Sequence, residues 1–205
     1  MIAREWIPRT LALAALALTL GCGRADQPKG LNPFDLGADR PPTAMTLYAM
    51  AQAMIEAGDD ERGEGLLTAV IHEEPSYLRA YLALAEIQKR QGRIREAIAT
   101  LRRGLEAAPG DPVLLNALGV CMLLREDFNR AAELFAEAAE AWPGDARFQA
   151  NLALALGMLG RDEEARQTYG RLMPSEEVEH NMQVIRRARR QTIPAVRLDA
   201  GRRED

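Results

Sequence analysis

The chain has 205 residues, enough for one domain with a sizeable core and too few for two comfortable ones. Aromatic residues make up only 5%, while Ala and Leu dominate the apolar fraction, a mixture that suits closely packed helices and suits strands badly. Charged residues at 27% with a formal net charge of -4 predict a solvated helical surface and exclude a nucleic-acid footprint.

Residues 1–21 open with Arg4 and Arg9 and run into an apolar stretch, Leu11 to Leu20. These ten residues fall short of the roughly 20 that a spanning helix needs, so the stretch reads as the core of a secretory signal. It ends Leu18-Thr19-Leu20-Gly21-Cys22, which resembles the lipobox of bacterial lipoproteins, with Thr19 where Leu is usual. The resemblance implies cleavage before Cys22 and acylation of its thiol. Acyl chains contribute about 0.8 kcal/mol per buried CH₂, and two or more of them anchor a protein stably. Gly23 follows the cysteine where an Asp would mark inner-membrane retention in lipoprotein families, so the expected address is the periplasmic face of the outer membrane.

From Cys22 to residue 43 the chain carries Pro28, Pro33, Pro41 and Pro42, with Gly30 and Gly37, and no sustained hydrophobic period. This predicts a lipidated cysteine on a flexible linker, whose twenty or so residues reach on the order of 25 Å root-mean-square. The other cysteine, Cys121, lies deep in a helical pattern. Two cysteines in such unlike contexts make no disulfide framework, and Cys121 is read as a small buried hydrophobe.

Beyond residue 43 the sequence repeats itself. Pro75, Pro109 and Pro143 are spaced by 34, and Gly58, Gly92 and Gly160 keep the same period with Glu126 in the missing place. Ala51, Ala85, Gly119 and Ala153 form a third column, and Gly63, Ala97, Ala131 and Ala165 a fourth. Leu67, Leu101, Phe135 and Tyr169 form a fifth. Each column has a task in a helix–turn–helix unit. The two small-residue columns let paired helices approach closely. Glycine accepts the left-handed conformation that ends the first helix, and proline cannot continue the second. Leu47, Tyr81 and Leu115, with Met50, Leu84, Leu118 and Leu152, supply the apolar stripe between helices.

These residues resemble the tetratricopeptide repeat family, whose period is 34. The resemblance implies an all-α fold, a right-handed superhelix of antiparallel helix pairs. Four repeats start near Ala44, Leu78, Pro112 and Ala146. The last departs from the pattern, because its proline comes early as Pro174 and is followed by Ser175-Glu176-Glu177-Val178, a helix-start signal. A capping helix from about Glu176 to Arg190 would close the stack, giving a repeat domain over 44–190 and a disordered tail over 191–205.

The final repeat contains Asn151-Leu152-Ala153-Leu154 and ends in Pro174-Ser175-Glu176-Glu177-Val178-Glu179-His180-Asn181. With Asn116-Ala117-Leu118-Gly119-Val120, this is similar to the TadD lipoproteins of the tight-adherence (Flp pilus) machinery. The resemblance implies a periplasmic assembly factor whose protein partners are the secretin or other pilus and secretion subunits. Scaffolding of other envelope work, such as outer-membrane protein insertion or peptidoglycan synthesis, is the alternative.

In the family register the first helices line a concave groove, with Tyr48, Gln52, Arg79, Leu82, Glu86, Lys89, Arg90, Asn116, Val120, Leu123, Arg147 and Ala150 exposed in it. Arg79, Lys89 and Arg90 would form a basic lip, and Val120 and Leu123 an apolar floor, suited to a helix or extended peptide with an apolar face and acidic flanks. For catalysis the sequence offers little. His72 and His180 sit in no metal-ligand spacing, and there is no P-loop, dinucleotide fingerprint or Gly-x-Ser-x-Gly. No enzyme activity, catalytic residue, metal, cofactor or small-molecule substrate is expected. Asp59-Asp60-Glu61 reads as a helix start, and Arg186, Arg187, Arg189 and Arg190 as the charged end of the capping helix.

Overall fold

The computed structural model describes residues 42–192. The signal peptide, Cys22, nearly all of the linker and the tail from residue 193 lie outside the described residues. Among these there are nine helices: α1 (Ala44–Glu56), α2 (Asp60–Glu73), α3 (Leu78–Arg90), α4 (Ile94–Ala107), α5 (Pro112–Leu124), α6 (Phe128–Ala141), α7 (Ala146–Met158), α8 (Asp162–Tyr169) and α9 (Ser175–Thr192). The first eight form four consecutive pairs, and each pair starts at the residue that the 34-residue period predicts. No helix of the described residues is long and apolar enough to cross a membrane.

The turns are set by the two punctuating columns. Gly58, Gly92 and Gly160 take φ of 81°, 76° and 83° at the end of the first helix of their pairs, and Glu126 is forced into the same left-handed region at 61°. Glu74, Ala108 and Trp142 end the second helices at φ near -140° and ψ near 80°, as the following proline demands of its predecessor. Asp59, Asp111, Asp127 and Asp145 each accept a hydrogen bond from the first turn they precede. Asp60 pairs with Arg90 at 2.6 Å, so the acidic run at the α1–α2 turn serves the fold.

Packing follows the small-residue columns. Ala51, Ala97, Ala131, Ala153 and Ala165 are wholly buried, as are Leu67 and Phe135. A Cβ added at Gly119 would lie 2.6 Å from Phe135 Cε1, and one at Gly63 would lie 2.7 Å from Ile55 Cγ1. The two glycines in alanine columns therefore sit where a methyl group would collide with the facing side chain. One continuous core joins α1 to α7, and a second cluster joins α7, α8 and α9.

One expectation is corrected. Met50 does not join the apolar stripe: it is 48% exposed, while its counterparts Leu84 and Leu118 are each 5% exposed, because no described helix precedes α1 to cover it. The capping helix spans Ser175–Thr192. It buries Val178, Met182 and Ile185 on α7 and α8. The arginine cluster divides in two. Arg186 and Arg189 turn inward to Asp162 at 2.9 and 2.8 Å, while Arg187 and Arg190 face solvent.

Candidate functional site

Successive first helices of the stack touch, α3 against α5 and α5 against α7. Between α3 and α5 lies a cavity of about 190 Å³, walled by Leu82, Glu86 and Lys89 on one side and Asn116, Ala117 and Val120 on the other. Ala85, Leu101 and Cys121 complete its lining. Five residues assigned to the groove from sequence thus converge on one pocket: Leu82, Glu86, Lys89, Asn116 and Val120. The helical register brings them together, since positions four and eight residues into each first helix share a face.

The charges are arranged differently from the expected basic lip. Lys89 bonds Glu86 at 2.5 Å one turn away, and Arg90 is committed to Asp60 at 2.6 Å. Arg147 folds back on Asp145 at 2.5 Å and lies 5.8 Å above the Phe148 ring. That contact holds the Asp145 carboxyl below the usual carboxylate range. Among the described residues, Arg79 is the groove cation without a carboxylate partner. The pocket therefore presents a neutralised Lys89–Glu86 pair beside apolar walls.

Polar groups on this face are few and satisfied. Asn151 Nδ2 donates to Asn116 Oδ1 at 2.8 Å across the α5–α7 boundary, tying two repeats together at the groove surface. Thr100 donates to Gln88 at 2.8 Å behind it, a buried pair between α3 and α4. Burial raises the Cys121 thiol above its ordinary value, with the nearby Lys89 ammonium pulling it down and Glu86 pushing it up. The thiol is therefore a neutral, weakly reactive part of the pocket floor.

At the other end of the groove Tyr48 stacks against Tyr77, ring centroids 5.1 Å apart. Burial raises the Tyr48 hydroxyl, Tyr77 adds to the effect, and the Arg79 guanidinium opposes it. Tyr77 holds the cap position before α3 that Thr43, Asp111 and Asp145 hold in the other pairs, a column that announces no aromatic. Gln52, Leu123 and Ala150 are half-buried on their helices and do not line the pocket. Asn151 and Ala117 are further groove residues that sequence reasoning does not place there. Their offset of five residues from the helix start is the available signal.

A second depression of about 480 Å³ lies among α6, α7 and α8, floored by Leu152, Leu156 and Leu159 and rimmed by Glu133, Arg161, Glu164 and Arg171. It is larger than the groove pocket, but none of the groove residues named from sequence reaches it. Three of its rim charges are spent on local pairs, Arg161 on Glu164 at 2.6 Å and Glu133 on Arg130 at 2.5 Å.

The solved structures similar to this chain share its architecture. The crystal structure of MamA is 18% identical, with a TM-score of 0.58 over 69% of this chain and 81% of that one. That of YrrB, described as a TPR protein with an unusual peptide-binding site, is 17% identical, with a TM-score of 0.59 over 72% and 79%. At these identities the likeness is one of fold. No curated protein matches the chain. A family model described as the tetratricopeptide repeat matches residues 54–121 and again 122–183, which together exceed half the sequence. The chain belongs to the tetratricopeptide repeat family.

Proposed function

We propose that this protein is a non-catalytic scaffold of the Flp pilus or a related secretion system. In this reading it is exported, anchored through an acylated Cys22 at the periplasmic face of the outer membrane, and acts on the secretin. The observation that carries the binding role is the α3–α5 pocket, where apolar walls flank a neutralised ion pair. Such a site favours an apolar side chain of a bound segment with polar groups on either side, and its one thiol, Cys121, is held neutral by burial. YrrB, similar in fold, is described as having a peptide-binding site, which supports a peptide or helix as the occupant.

The assignment to pilus assembly rests on the resemblance of the last repeat to TadD proteins. The residues that carry it have visible roles in the fold. Asn151 bridges to Asn116, Pro174 gives its carbonyl to the Val178 amide at 3.1 Å, and Asn181 Nδ2 donates to Met173 Sδ at 3.2 Å. They shape the turn into α9 and the end of the groove.

The test is cross-linking in the periplasm, followed by purification of the chain and identification of its companions. Recovery of a secretin, lost in Val120→Arg at unchanged helicity, supports the reading. Recovery of outer-membrane insertion or cell-wall machinery instead overturns the pilus assignment. Unchanged membrane fractionation of Cys22→Ala overturns the anchor.

A further inference from the structure

The two ends of the helical stack differ. At the C-terminal end α9 turns Glu176, Glu177, Glu179, His180, Arg187 and Arg190 to solvent, a polar cap of the kind a solenoid end requires. At the N-terminal end α1 has one charged residue, Glu56, in its last turn. One face of it carries Met50 and Met54 with Ala53 and Thr46, none of them buried by the described residues, and Leu47 at its edge, half-buried against the core. The corresponding positions of α3 are Ala80, Tyr81, Leu84, Ile87 and Gln88, and those of α5 are Leu114, Leu115, Leu118, Cys121 and Met122, and all ten are buried. In α3 and α5 the second helix of the preceding pair covers them, α2 on α3 and α4 on α5. The first helix therefore keeps the composition of a covered surface.

We infer that the α1 face is a docking site for a helical hairpin of another protein, stacked as one more repeat in front of the first. The interface between the chain's own repeats defines what that hairpin must carry. Its second helix presents a compact residue with an apolar one next to it. Val70-Ile71, Gly104-Leu105 and Ala138-Ala139 hold that place within this chain. The compact position sits at the crossing: a Cβ at Gly104 would lie 3.2 Å from both Leu114 Cδ1 and Tyr81 Cβ. No charge on the partner face is matched by α1, so the partner face is neutral. A second copy meeting through α1 alone is disfavoured by area. A 13-residue helix offers a strip of roughly 20 by 10 Å, well below the ~800 Å² per partner of a stable dimer. A hairpin adds the first-helix contact that α3 makes with α5. The inference is independent of the groove and of the pilus assignment.

The experiment places a photo-crosslinking benzophenone at the exposed Ala53 of the full chain in the periplasm and maps the adduct to the residue. A parallel benzophenone at Val120 reports the groove separately. The expected adduct lies on the apolar side of an amphipathic helix of a different protein, beside a compact-apolar residue pair. Its yield falls at least tenfold in Met50→Glu while the Val120 adduct is unchanged. An adduct on α1 of a second copy, on phospholipid or on a non-helical segment overturns the proposal. So does the absence of any adduct, or a yield that Met50→Glu leaves intact.

Discussion

Arg189 donates to the Gly157 carbonyl at 2.7 Å, so a side chain of the capping helix closes the last turn of α7 from 32 residues away. The same guanidinium reaches Asp162 at 2.8 Å, at the first residue of α8, where Arg186 adds a second bond at 2.9 Å. Both arginines and the aspartate are about one-quarter to one-third exposed, so these bonds are partly shielded from water. Arg189→Ala removes a charge-assisted pair and a helix-end partner, and is expected to cost about 2 kcal/mol. The loss should register as faster hydrogen exchange in α9 and the α7–α8 turn, with α1 to α5 unchanged.

The same clamp gives a pH dependence. The bonds from Arg189 and then Arg186 hold the Asp162 carboxyl below its ordinary value. A depressed carboxyl contributes stability that is fully present above the unfolded value of about 3.9 and disappears as pH falls through it toward the folded one. Unfolding curves of the wild type and Asp162→Asn should differ at pH 7 and converge below about pH 4. A gap that stays constant to pH 3 would contradict the clamp.

Gly119 and Phe135 are fitted to each other. Phe135 faces this glycine, its ring 2.6 Å from where a methyl group at that position would stand. Gly119→Ala overpacks this contact and should cost about 1–3 kcal/mol. Phe135→Leu makes room. The double variant should therefore be more stable than the sum of the single losses by about 1 kcal/mol or more in a mutant cycle by chemical denaturation. Additive losses would mean that the two residues do not constrain each other.

Glu126 occupies a glycine place at φ 61°. A left-handed non-glycine residue costs about 1–2 kcal/mol, of which the greater unfolded freedom of glycine takes back part. Glu126→Gly is expected to stabilise the chain by about 0.5–1 kcal/mol in thermal or chemical denaturation. Gly92→Ala, the reverse change at φ 76°, should destabilise it by a similar amount.

The helix boundaries are legible in the sequence because proline, glycine and small residues act locally and recur: Pro75, Pro109 and Pro143 each follow a helix end by two residues. The groove positions follow from the same register, which is how Leu82, Lys89 and Asn116 come to share one face. Their charge state is hidden, because Asp60 lies 30 residues before Arg90 and only the packing of α2 beside α3 brings them together. Tyr77 is hidden for another reason, since its column otherwise holds the cap residues Thr43, Asp111 and Asp145 and announces no aromatic. The inward aim of Arg189 depends on how α9 docks, and the shortened α8 breaks the period that would otherwise predict it.

Arg79 and Arg90 separate binding from stability. Sequence groups them in one basic lip, yet Arg90 is paired with Asp60, while Arg79 meets no carboxylate among the described residues. Arg90→Glu replaces a half-exposed ion pair by a repulsion, so it should lower stability by up to about 1 kcal/mol. Because that charge is already neutralised, it should change partner capture little. Arg79→Glu reverses a charge that no carboxylate of the described residues pairs. Helicity and the unfolding midpoint should then hold, while capture of an acidic-flanked partner weakens several-fold and becomes less salt-dependent. Circular dichroism and a salt series of capture assays on the two single variants check this. Equal loss of capture from both would mean that the groove reads total charge rather than the cation at Arg79.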